Sequence, residues 1–301
     1  MRVGSGASLV LTSVATAAAA AAIEAAWWRP SPAPARMHHA VAGRDLSKAA
    51  ALLAVAALAD SGVEHYRGAF HNKTMALPLA VAAQALGASL HGIAETRPNT
   101  STIRAFSNAL ALTTGLAGTG FHFYNILKRP GGWSWHNLFY AAPIGAPMSL
   151  SLAGMLGRLA ELVRRGSARS WGMLPGPLIA RLVALGLAGT TGEAALLHFR
   201  GAYHNPAMVV PVTAPPVAAA LLTGATVCPR LAAPARWAMR LLTAIGLAGA
   251  GFHAYGVSRN MGGWRNWSQN VLNGPPLPAP PAFTALALAG LAALRLMEEE
   301  R

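Results

Sequence analysis

Residues 64–72 read EHYRGAFHN and residues 197–205 read LHFRGAYHN, so His65, Arg67, Gly68, His71 and Asn72 recur 133 positions later as His198, Arg200, Gly201, His204 and Asn205. A second matched pair, GLAGTGFHFY at 115–124 and GLAGAGFHAY at 246–255, adds His122 and His253 at a spacing of 131. The acids Asp60 and Glu193 align at the first spacing. Imidazole is the commonest metal-binding side chain in proteins. Two opposed imidazoles suit a six-coordinate haem iron. Three with an open position suit zinc or copper, and an added carboxylate suits iron.

These residues sit in an apolar chain. Of 301 residues, 53% are hydrophobic and 11% charged, and the mean hydropathy is +0.38. Soluble domains average about 25% charged residues. A bilayer-spanning helix needs roughly 20 apolar residues. Nine segments qualify, near 6–27, 48–66, 74–95, 104–126, 138–163, 175–199, 207–227, 235–257 and 277–297. The expected fold is an all-α integral membrane protein with about nine transmembrane helices. One N-terminal helix, within 1–30, precedes a tandem repeat of two four-helix units at 47–165 and 174–297. Further matches support the duplication: GGW at 131–133 recurs at 262–264, and NLFYAAPIGAP from 137 answers NVLNGPPLPAP from 270. An even number of helices per unit makes the repeats parallel, related by a pseudo-twofold axis along the membrane normal.

Sixteen of the 24 basic residues lie toward the loops before the even-numbered segments and the C-terminus. By the positive-inside rule that side is cytoplasmic. The chain is therefore expected to be multi-pass in an inner (plasma) membrane, N-terminus outside and C-terminus cytoplasmic. The net charge of +14 reflects this topology, not a nucleic-acid footprint. The Ala-rich first segment has the look of a signal peptide. Cleavage would invert every later loop, so an uncleaved helix is expected. A single cysteine, Cys228, excludes an intramolecular disulfide and a thiolate cluster.

In this topology His65, His122, His198 and His253 end the four helices that run outward. His65 and His122 each stand roughly 25–27 Å up their helices at 1.5 Å per residue. In an up-down bundle the first and third helices are diagonal, so the two imidazoles of each repeat oppose one another across the core, where bundles build cofactor sites. Gly115 and Gly118 share a helical face with His122, as Gly246 and Gly249 do with His253. Such a stripe clears space for a flat porphyrin, and it equally allows close helix packing. Arg67 and Arg200, with Lys128 and Arg259, are candidate propionate partners. Asp60 and Glu193 are intramembrane acids, functional candidates by cost alone. Each suits a ligand-orienting role, a proton relay, or a pair with the arginine seven residues on.

Other retained residues read as structural. Asn72 and Asn205 are expected helix caps, with Pro206 at a first helical position. Gly68 and Gly201 are expected to supply turn freedom, Pro78 and Pro211 to kink helices, and Met75 and Met208 to pack. Trp133 and Trp264 fit an interfacial belt. His38, His39, His91 and His136 have no matched partner and read as amphipathic surface residues.

The leading expectation is a membrane redox protein with two b-type haems, held by His65, His122, His198 and His253 with Arg67, Arg200, Gly118 and Gly249 around them. It would exchange electrons with quinone or an external redox protein, or oxidise a lipid-soluble substrate. Paired histidines on alternate helices of a duplicated four-helix unit resemble the architecture of haem A synthases. The external loops here are short and that family's local motifs are missing, so the activity does not carry over. The alternative is a non-haem copper, zinc or iron site built from His65, His71, His122 and Asp60, and from His198, His204, His253 and Glu193. A transporter and a structural assembly subunit are further readings. No phosphate loop, nucleophile motif or zinc-protease pattern occurs. The topology predicts that a fluorescent protein fused after Arg301 lights up in cells while alkaline phosphatase at the same point stays inactive; the opposite result would invert the assignment.

Overall fold

The computed structural model describes residues 37–166 and 174–300. The expected N-terminal helix lies outside the described residues. Within them the chain is helical, with no strand. The first half holds α1 (Met37–Arg67), α2 (Leu77–Ala94), α3 (Thr102–Leu127), the short α4 (Trp135–Phe139) and α5 (Gly145–Arg164). The second half holds α6 (Pro175–Arg200), α7 (Val210–Ala225), α8 (Ala232–Arg259), the short α9 (Trp267–Asn273) and α10 (Pro281–Glu299).

Six of these helices, counted with their 3-10 leads, are long and apolar enough to cross a membrane: α1, α2, α6, α7, α8 and α10. Many of their large apolar residues, among them Leu185, Val217, Leu241 and Leu247, are exposed. In water such surface would be costly; in lipid it is the solvent-facing side. α3 and α5 carry polar residues that they bury against each other and against α2.

In the first half α1 packs on α2 and α5, and α3 also packs on α2 and α5. α1 and α3 therefore stand diagonally. The second half follows the same order: α6 and α8 each pack on α7 and α10. The halves join through α1 against α10, with a smaller contact between α5 and α6. α1 and α10 are the most buried of the apolar helices, and alanines dominate their packed faces. Small side chains let helix backbones approach closely without a solvent-driven term.

Several expected boundaries move, for local reasons. α1 starts at Met37, ahead of the expected 48. The expected helix over 138–163 breaks into α4 and α5 around Pro143, because a residue preceding proline is steered away from helical geometry. α10 begins at Pro281, after the proline-rich PPLPAPP. Pro78 and Pro211 do not kink their helices. They occupy the first turns of α2 and α7, where a missing N–H leaves no bond unmade.

At the end of the bundle remote from the duplicated motifs, the first half buries a charged network. Arg104 Nε donates to Glu161 Oε1 at 2.6 Å and its Nη2 donates to Glu161 Oε2 at 3.1 Å. The Ser101 N–H reaches the same carboxylate at 2.7 Å. Arg164, fully buried, donates to the carbonyls of Gly92, Glu95 and Arg97. It thereby satisfies the α2 C-terminus, whose last carbonyls have no helical partner. Room for it comes from Gly43, where a Cβ would lie 2.7 Å from Arg164 Cγ. None of this recurs in the second half: Leu294 and Met297 stand 133 residues after Glu161 and Arg164, both buried among apolar neighbours.

Removing one partner of a buried ion pair strands the other. Glu161→Ala is therefore expected to destabilise the protein by about 3–5 kcal/mol. The expected result in thermal unfolding in detergent is a lower midpoint with no change in any property of the histidine end.

Candidate functional site

The four helix-end histidines share one arrangement. His65 Nδ1 lies 2.6 Å from the Met75 carbonyl oxygen, and His198 Nδ1 lies 2.9 Å from that of Met208. His122 Nδ1 is 2.7 Å from the Pro143 carbonyl, and His253 Nδ1 is 2.7 Å from that of Pro276. A carbonyl only accepts, so each Nδ1 carries the proton and donates it. The lone pair of each neutral ring is then fixed on Nε2. No hydrogen bond among the described residues reaches any of these four Nε2 atoms. A backbone carbonyl on one nitrogen, fixing ring and tautomer, is the usual support of a metal-ligating histidine.

Pairing follows the helix packing. His65 on α1 and His122 on α3 belong to diagonal helices and lie within electrostatic range of one another. His198 on α6 and His253 on α8 stand in the same relation.

The turn after each first histidine is built to present its carbonyl. Asn72 caps the short helix at Lys73–Ala76, its side chain accepting from the Thr74 N–H at 3.0 Å. Asn205 does the same for Ala207 at 2.9 Å. The histidine helix ends in nested bonds: Phe70 N–H donates to the His65 carbonyl at 3.0 Å and Ala69 N–H to that of Tyr66 at 2.8 Å. Tyr203 and Ala202 repeat this pattern at 3.0 and 2.9 Å. This is the Schellman closure, which needs a left-handed residue. That residue is not the glycine. Ala69 and Phe70 have φ of 52° and 44°, and Ala202 and Tyr203 have 54° and 47°. Gly68 and Gly201 serve a different purpose: a Cβ there would come within 3.1 Å of Met75 Cε and 3.2 Å of Met208 Cε. The methionine methyls pack on the glycines and steady the carbonyls that hold the histidines.

Left-handed geometry at non-glycine residues costs roughly 1–2 kcal/mol each. It directs Phe70 edge-on to His65 at 6.2 Å between ring centroids, and Tyr203 edge-on to His198 at 6.1 Å. The aromatic residue at this place in both motifs was readable in GAFHN and GAYHN, but its ring contact was not.

Other candidates fall elsewhere. Gly118 and Gly249 face helix packing: a Cβ would lie 3.1 Å from Pro147 Cβ and 2.8 Å from Pro280 Cβ. Gly115 and Gly246 abut Ser151 and Thr284 in the same way. The stripe brings α5 and α10 close enough for the Pro143 and Pro276 carbonyls to reach the rings. Clearance on the His65 face comes instead from Gly62, one turn below, with no atom within 4 Å of its Cβ position. His71 and His204 turn onto the carbonyls of Gly68 and Gly201, each at 3.0 Å, and are exposed. Among the described residues no three His, Cys, Asp or Glu side chains gather as a metal-binding group.

Arg67 pairs with Glu64 at 2.7 Å. Arg200 crosses to the first half, donating to the Leu138 carbonyl at 3.1 Å and stacking 5.4 Å from the Phe139 ring centroid. Glu193 also crosses, packing on Gly145 at the start of α5, where a Cβ would lie 3.0 Å from its Cγ. Asp60 lies within electrostatic range of Glu193 and Glu64.

The long connectors are pinned identically. Asn137 Nδ2 donates to the Pro130 and Gly132 carbonyls, and Asn270 Nδ2 to those of Met261 and Gly263. Gly131, Gly132, Gly262 and Gly263 all have positive φ, which explains why both loops keep GG.

No family model matches the chain. Comparisons with curated proteins and with solved structures likewise found no match.

Loss of an Asn cap costs about 1 kcal/mol. Asn72→Ala and Asn205→Ala are each expected to lower thermal stability by about that amount, and the pair to add, since they lie in different halves. Calorimetry in detergent reads both.

Proposed function

We propose that this is a membrane redox protein that holds two b-type haems, one in each half. His65 and His122 are the axial pair of the first, His198 and His253 of the second. The observation that supports this reading is the fourfold recurrence of one arrangement: an imidazole fixed at Nδ1 by a backbone carbonyl, with Nε2 left free, on diagonal helices of a four-helix ring. Six-coordinate haem needs two such nitrogens facing each other. The residues present fit the group. The three-imidazole alternative loses support because His71 and His204 bind within their own turns.

A haem held in this way supplies one-electron transfer. The chain's contribution is to orient the rings, fix their tautomers and shield the site. Bonding to carbonyls increases the donor strength of each imidazole. Phe70 and Tyr203 cover one edge of His65 and His198. Closed six-coordination favours electron transfer over oxygen chemistry, so the reading narrows to exchange of electrons with quinone or an external redox protein.

In this reading all eight long helices cross the bilayer, as two parallel four-helix repeats behind a ninth, N-terminal helix. The histidine end faces outward, with the C-terminus in the cytoplasm of a cell bounded by an inner (plasma) membrane. α3 and α5 cross despite Arg104, Arg158, Glu161 and Arg164, because those residues lie at the cytoplasmic end and are buried by their partners.

Protein purified from haem-replete cells is expected to show a Soret band with two haems per chain. His122→Ala with His253→Ala is expected to abolish it, while His71→Ala with His204→Ala keeps it. A full Soret band in the first double variant would overturn the reading.

A further inference from the structure

A groove of about 480 Å³ lies between α4 of the first half and α6 of the second. Its walls include Trp135, Gly192, Glu193, Leu196, Phe199 and Tyr203. Small-molecule sites run to roughly 300–1,000 Å³, mostly apolar with a few placed polar groups. Here the polar group is a carboxylate. Glu193 packs on Gly145 at the start of α5, where a Cβ would lie 3.0 Å from its Cγ, and its Oε1 is buried with no hydrogen-bond partner within the chain. A buried acceptor left unmatched is costly, and it calls for a ligand that donates. The Tyr203 wall is the same ring that stands edge-on to His198. An occupant of the groove is thus one aromatic ring from a proposed haem ligand.

We propose that this groove binds a quinol and that Glu193 accepts its protons. A quinol unites what the walls ask for: an apolar ring and tail, and a hydroxyl donor for the carboxylate. Oxidation of one quinol breaks two O–H bonds. The two protons pass in turn to the Glu193 carboxylate and on to the aqueous face. The two electrons reduce the two ferric haem irons, one each, and the product is the quinone. The electron acceptor rests on the two-haem reading; the binding site does not.

The probe is a decyl-substituted benzoquinol, titrated against the full-length protein in nanodiscs under reducing, anaerobic conditions. Tryptophan quenching serves as the readout, with Trp135→Phe identifying the signal of the groove. Two variants separate site from fold. Glu193→Gln keeps the shape and removes the charge, and is expected to weaken binding roughly ten- to hundredfold. Gly192 lines the groove and has no atom within 4 Å of its Cβ position, so Gly192→Leu meets no neighbour at its Cβ, puts bulk into the groove and improves helix propensity. It is expected to abolish quenching and leave the melting temperature unchanged. Wild-type affinity in both variants, or quenching that brominated phospholipid produces and the quinol cannot displace, would overturn the proposal. Quinol binding without a Soret band would sink the haem reading and spare the site; a Soret band without quinol binding would do the reverse.

Discussion

Everything at the histidine end depends on one division of labour inside the imidazole ring. A backbone carbonyl accepts the hydrogen bond from Nδ1–H, and the opposite nitrogen is thereby committed as a lone pair. Four separate connectors have to deliver a carbonyl to within 2.6–2.9 Å for this to hold. The asparagine caps, the methionines resting on glycine and the proline breaks before α5 and α10 all serve that delivery. Two consecutive residues are even driven into left-handed geometry in each copy of the turn, at a cost their neighbours must offset. The retention of GA-aromatic-His-Asn in both halves follows from the turn acting as a carbonyl holder.

The opposite end of the bundle obeys no such constraint, and there the halves have parted. One half closes with Arg104, Glu161 and Arg164 in a buried network. The other closes with Leu294, Met297 and their apolar neighbours. Both solutions seal a four-helix ring, in keeping with the finding that well-packed apolar residues can replace a buried ion network. Geometry was kept where four rings must be aimed, and composition drifted where helices need only be packed.

That contrast explains what could be read from the residues alone. The helical membrane character lay in composition. The Asn caps and the packing of the methionines lay in residue type and position. The diagonal placement of the helices carrying His65 and His122 followed from the up-down order of a four-helix unit. What could not be read were contacts carried by atoms without residue identity. A carbonyl of Pro143 looks like any other carbonyl until the chain is folded, and the left-handed residues were masked by a glycine next door. The ion network was missed for a different reason: attention to matched residues passes over Glu161, although an acid between Arg158 and Arg164 in an apolar helix was itself a signal of buried pairing.

The near-symmetry also breaks at the seam between the halves, and there the break has a chemical consequence. Glu193 lies against Gly145, where the missing Cβ leaves room for its Cγ. At the matching spacing Gly145 is replaced by Pro278, whose ring takes up the room that the glycine leaves. The two acids, aligned in the sequence, are therefore unequal in the fold: one packs on a glycine at a helix N-terminus, and the other has a proline at the equivalent position. Arg200 reinforces the difference by tying α4 down over α6, while its counterpart Arg67 is paired with Glu64. Two halves of like helix order thus carry like imidazole arrangements with asymmetric ground between them, which suits the proposed service of two centres from one side.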